Sequence, residues 1–176
     1  MTYVNAVESL AVDTEDRVAA LWDRVESDDL TVDQFATVAA AMLLRANARG
    51  TALGDAGLAA TLTRRIGRHV SPVGVFLPTT EAARLTKATM TLTARIETGP
   101  ADPRRRIRRI GRAEPMKAAQ NGWHEGMRRH QVGSWTRQTV GKNCPFCTRL
   151  ADGSVFPPSV PMATHPGCDC IAQPVD

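Results

Sequence analysis

Two sulfur-rich turns near the C-terminus constrain this chain more than any other stretch. Cys144-Pro145-Phe146-Cys147 is followed, after seventeen residues, by His165-Pro166-Gly167-Cys168-Asp169-Cys170. All four cysteines lie here, and one of the four histidines lies among them. Two turns that each supply ligands from one side, joined by a short loop, are what a tetrahedral metal ion requires. Pro145 restricts the first turn so that both of its sulfurs can face one site. Five candidates compete for four positions: Cys144 and Cys147 form one pair, and the second comes from His165, Cys168 and Cys170. Spacing does not choose between a site of three cysteines and one histidine and a site of four cysteines. Zinc is the expected ion, because thiolate and imidazole in a closed site suit it and it has no redox hazard. Its expected role is structural, since no Glu or other general base neighbours a ligand. Two disulfides or unligated thiols are the competing expectation. The redox compartment weighs against it: Met1-Thr2-Tyr3-Val4-Asn5 lacks the charged-then-apolar layout of a signal peptide, which points to a reducing cytosol.

With 176 residues the chain has room for a helical body and a small appended module. Aromatic residues make up only 5%, and alanine supplies much of the apolar total, which favours helices packed through small side chains. No apolar run approaches the roughly 20 residues that cross a bilayer, so no membrane contact is expected. The expected fold is mainly α: a helical body over residues 1–133 and a Cys/His module with a β-hairpin over residues 134–176.

Taken in order, residues 1–12 are weakly patterned. Thr14 is a plausible cap for a helix over residues 15–27 that carries Val18, Leu21, Trp22 and Val25 at helical spacing. Asp28-Asp29 breaks it. Thr31 with Gln34 makes a capping box for a second helix, while Gly50, Gly54 and Gly57 predict a turn or kink between residues 50 and 56. A stripe of Leu58, Leu62 and Ile66 then ends near Gly67. Residues 69–78 form an apolar connector bounded by prolines. Thr79 or Thr80 opens a third helix with Leu85, Thr89, Leu92 and Ile96 on one face, stopped by Gly99-Pro100. Glu114-Pro115 opens a further helix, with the proline in its first turn and Ala118, Ala119, Trp123 and Met127 inward. His124 and His130 on it read as packing or surface residues. Residues 135–140 suit a short strand, Asp152-Gly153 reads as a hairpin turn between Leu150 and Val155-Phe156, and residues 157–161 as an extended, proline-rich link.

Charge is placed unevenly along the chain. Residues 1–60 hold ten Asp and Glu against four Arg, a net of −6, whereas residues 61–176 hold eighteen Lys and Arg against eight Asp and Glu, a net of +10. The basic half peaks at residues 104–112, where Arg104, Arg105, Arg106, Arg108, Arg109 and Arg112 surround Ile107 and Ile110. On a helix the isoleucines face inward and the arginines fan outward. Six like charges repel unless something neutralises them, which points to nucleic-acid phosphate or an acidic protein surface. A solvated helix face is the plainer alternative.

The combination of Trp135-x-Arg137, Cys144-Pro145-Phe146-Cys147, Leu150, Asp152-Gly153, His165-Pro166-Gly167-Cys168-Asp169-Cys170 and Pro174 resembles the MuF-like head-morphogenesis proteins of tailed bacteriophages, the actinobacteriophage branch above all. It spans about 40 of the 176 residues. The resemblance implies a minor capsid protein, made in the host cytoplasm and placed in the virion at the portal vertex or capsid interior. It implies partners in the portal protein or major capsid protein, packaged DNA nearby, and several copies in one assembly. Related proteins include capsid maturation proteases, but no Ser/His/Asp or Cys/His arrangement stands at a recognisable spacing here, so no enzyme is expected. A zinc-ribbon protein that binds nucleic acid through the arginine run is the alternative function.

Overall fold

The computed structural model describes residues 2–98, 102–139, 145–165, 168 and 170–175. It is mainly helical: α1 (Tyr3–Glu26), α2 (Val32–Ile66), α3 (Glu81–Thr98) and α4 (Pro103–Arg129) precede β1 (Trp135–Gln138), α5 (Pro145–Leu150), β2 (Val155–Phe156) and β3 (Ile171–Pro174). The three strands form one antiparallel sheet in the order β2-β1-β3.

The first helix begins earlier than its apolar stripe suggested. Thr2 caps it, its hydroxyl accepting from the Asn5 N–H at 3.3 Å, and the weakly patterned N-terminal stretch is helical throughout. Thr14 is no cap. It is buried mid-helix with Oγ1 donating to the Leu10 carbonyl at 2.7 Å, which satisfies the hydroxyl without ending the helix. Asp28, in a left-handed conformation at φ 61°, ends the turn that follows α1. The Thr31/Gln34 capping box opens α2 as expected.

The predicted break at residues 50–56 is absent, and α2 runs unbroken for 35 residues. Its glycines serve close packing instead of a bend. A Cβ on Gly54 would lie 2.1 Å from the Ala119 carbonyl oxygen, and one on Gly122 of α4 would lie 2.3 Å from the Thr51 carbonyl oxygen. Glycine costs a helix interior about 1 kcal/mol. Here it lets two backbones meet, and the dispersion contacts along that seam offset the cost. Gly67, at φ 69°, caps the end of α2.

A helix opening at Glu114-Pro115 is likewise overturned. Asp102 caps α4, its carboxylate accepting from the Arg104 and Arg105 N–H groups, and Pro103 takes the first position. Pro115 lies inside α4, fully buried. An interior proline removes a backbone bond at a cost of about 3 kcal/mol or more, so tertiary packing on both flanks must hold the helix through it. Its carbonyl oxygen is 2.5 Å from where a Gly50 Cβ would stand, and Gly111 one turn earlier sits against the α1 backbone at Glu15.

Among the described residues, two larger cores and a smaller one of Val7, Ala11, Met116 and Ala119 fill the spaces between helices. Val18, Leu21, Trp22, Phe35, Leu43, Leu85 and Ile107 join α1 to α4 at one end. At the other, Leu58, Leu62, Trp123, Met127 and Val132 meet Trp135 and Ala172 of the sheet. The sheet therefore shares a core with α2 and α4. The connector over residues 69–78 has no regular structure, and buried Asp55 of α2 anchors it: its carboxylate accepts from the N–H groups of Val73, Gly74 and Val75 at 3.1, 2.8 and 3.1 Å. On α3, Leu85 and Thr89 are buried and Leu92 and Ile96 half-buried, as their spacing predicted. The stop at Gly99-Pro100 lies outside the described residues.

Candidate metal centre

Each wall of the centre comes from a different element. Pro145 opens α5, so Cys147 sits on the first turn of a short helix, not on a restricted loop. Asp152-Gly153 does turn the chain, with the Asp152 carboxylate accepting from the Ser154 N–H at 2.9 Å and Gly153 at φ 87°. It links α5 to β2, so the expected hairpin across it does not form; β2 pairs with β1 through Trp135↔Phe156. Residues 157–161 form a turn closed by the Val160 N–H donating to the Pro157 carbonyl at 3.0 Å, in place of an extended link. They bring His165 back towards α5, and β3 then draws Cys168 and Cys170 against β1.

The sulfurs of Cys147, Cys168 and Cys170 all lie within 4.8 Å of one another, and the three residues are 1%, 3% and 4% exposed. Cys147 Sγ is 3.6 Å from Cys168 Sγ and 3.1 Å from His165 Nε2. Ligands at about 2.3 Å from a tetrahedral ion stand about 3.8 Å apart, so this cluster could hold a metal ion. Cys144, the fifth candidate, lies outside the described residues. Burial pushes the Cys170 thiol above its ordinary value, with Cys147 and Arg137 acting against that rise.

Several side chains hold the ligand-bearing backbone in place. Gln120 of α4 donates to the Cys168 carbonyl at 2.7 Å, and Trp123 Nε1 donates to the Ala172 carbonyl at 2.8 Å. The Phe146 ring meets the His165 ring edge-on at 5.7 Å. Arg137, only 7% exposed, donates to the Ala163 carbonyl and points its guanidinium at Cys147 Sγ, 4.0 Å away. Neither Gln120 nor Arg137 stood out as a site residue in the sequence. For Arg137 a signal was present: it is two residues from Trp135 on a strand, hence on the same buried face.

The arginine run is elsewhere. Arg104 is sixteen residues from Gln120 on the same helix, or about 24 Å along its axis. Ile107 is buried and Ile110 half-buried, as predicted. The arginines, however, are partly neutralised within the chain. Arg104 pairs with Asp23 and Glu26, Arg108 with Glu15 and Asp16, and Arg112 with Glu8 and Glu15, all on α1. The acidic and basic halves of the sequence thus meet across one helix pair. Arg106 donates to the Arg95 carbonyl at 3.4 Å, and among the described residues neither Arg105 nor Arg109 has an acidic partner. His124 is half-buried and packs edge-on against Trp135 at 6.4 Å, and burial lowers its pKa. Comparison with protein-family models, with curated proteins and with solved structures gave no match to this chain.

Proposed function

We propose that this chain is a minor structural protein of a tailed-phage head, with its C-terminal segment clamped by one structural zinc ion. The convergence of three buried sulfurs and an imidazole from two distant turns carries the zinc part of the reading. Cys147, His165, Cys168 and Cys170 would hold the ion, with Cys144 a further candidate, and the ion would supply a crosslink between α5 and the entry to β3. Sulfurs this buried cannot reach a peptide bond in solution, which suits ligands and not nucleophiles.

The phage-head part rests on the same landmarks that carried the resemblance. They are not scattered. Trp135 stands opposite Pro174 in the sheet register, both fully buried, and Cys147, Cys168 and Cys170 gather in one cluster. The proposed partners are the portal protein or major capsid protein, met through the helical body. Crosslinking mass spectrometry on purified virions tests this: crosslinks from the chain to portal or capsid subunits are expected, and absence of the chain from particles would sink the proposal. Elemental analysis of protein purified under reducing conditions tests the metal, with about one zinc per chain expected.

Nucleic-acid binding through α4 is the second reading, favoured by exposed Arg105 and Arg109 one helical turn apart. The ion pairs to α1 make it the weaker one, because three of the six arginines already have partners.

A further inference from the structure

Arg137 is a buried cation whose surroundings, among the described residues, contain no carboxylate. Its guanidinium meets the Ala163 carbonyl and the sulfur of Cys147, and it acts to lower the pKa of the Cys170 thiol. A buried charge with nothing to balance it is strongly destabilising, and neither a carbonyl dipole nor a neutral thiol carries the balancing charge. Among the described residues, the groups beside it that can carry a negative charge are the thiols of the cluster itself.

We infer that Arg137 is the counter-cation of the metal centre and that it selects a first shell of three thiolates and one neutral imidazole. The reasoning is charge balance. A divalent ion with three thiolates and a neutral imidazole carries −1, which one guanidinium cancels. A shell of four thiolates carries −2 and would leave one buried negative charge over. His165, whose Nε2 is 3.1 Å from Cys147 Sγ, supplies the imidazole. Arginine suits this place because it stays charged when buried and its planar fork reaches sulfur and carbonyl together. This inference rests on the metal reading above, and it makes Arg137 a positioning residue that acts on the ion through the ligands.

The test compares zinc affinity, by competition with a chromophoric chelator, in the full chain and in its Arg137→Gln and Arg137→Lys variants. Arg137→Gln should bind zinc roughly 10- to 100-fold more weakly, the usual range for a lost outer-shell partner, while Arg137→Lys keeps most of the affinity because it keeps the charge. Equal losses in the two variants would reduce Arg137 to a packing residue and overturn the inference, as would unchanged affinity in Arg137→Gln. If Arg137→Gln does not fold, X-ray absorption on the zinc-loaded wild type decides. Three sulfurs and one nitrogen support the inference, and four sulfurs overturn it. Wild-type protein that takes up no zinc removes the metal reading and this inference together, whereas zinc-loaded wild type with an indifferent Arg137 removes only the inference.

Discussion

Gly54 and Asp55 are neighbours on α2 with opposite reasons for being what they are. A methyl group at Gly54 would stand 2.1 Å from the Ala119 carbonyl oxygen and 2.6 Å from the Trp123 nitrogen, both backbone atoms. Alanine is the better helix former by about 1 kcal/mol, but forcing α4 away costs roughly 1–3 kcal/mol. The clash wins, and Gly54→Ala should lower the urea midpoint. A raised midpoint would mean that the seam is looser than described. Asp55 beside it holds three N–H groups of the connector. Replacing it with alanine leaves those donors without their acceptor, and Asp55→Ala should destabilise the fold by about 2–4 kcal/mol in equilibrium denaturation. Neither role was legible in the sequence. A helical glycine reads as a break and a helical aspartate as surface until the neighbouring element is known.

Among the elements, α1 and α4 decide what the arginine run is for. Three arginines pair with α1 carboxylates, so among the described residues Arg105, Arg106 and Arg109 remain without an acidic partner. Any DNA binding by this face should therefore show a salt slope of about −3, against about −5 for six free arginines. A measured slope near the steeper value would show that the ion pairs open to DNA. Acid should weaken the Arg104–Glu26 contact and, on α3, the Arg84–Glu81 contact. Hydrogen bonding from Arg104 holds Glu26 below the usual carboxylate range, and hydrogen bonding from Arg84, with a smaller part from Asn47, does so for Glu81. Since the folded values lie below the unfolded one, this stability is present above about pH 4.5 and is lost as pH falls through the folded values. Thermal melts should keep their midpoint from pH 7 to about pH 5 and drop below about pH 4; a midpoint that holds at pH 3 would contradict the pairing.

For the whole molecule, the sheet is anchored twice, by the apolar core around Trp123, Trp135 and Ala172 and by the cysteine cluster beyond it. Chelation of a metal held by that cluster should remove only the second anchor. Hydrogen exchange should then rise in residues 145–172 and in β3, while α1, α2 and α4 keep their protection. Collapse of the entire helical body on chelation would show that the body depends on the metal too. Acidification should mimic the chelator at the centre, because thiols must lose their protons to bind and burial already raises the Cys170 thiol.

The sequence by itself determined the mainly helical class, the short strand at Trp135, the capping box at Thr31 and the five Cys/His candidates from which the cluster of Cys147, Cys168 and Cys170 with His165 is drawn. These rest on local rules: helical spacing, side-chain caps and ligand pairs close in the chain. The tertiary structure alone decided that α2 and α4 run unbroken through Gly54 and Pro115, that α1 neutralises half the arginine run, and that Arg137 faces the sulfurs. Each of those depends on what lies across an interface from residues far away in the chain. A glycine, a proline or an arginine carries the same local preference in either setting, and only the partner backbone or charge determines which one prevails.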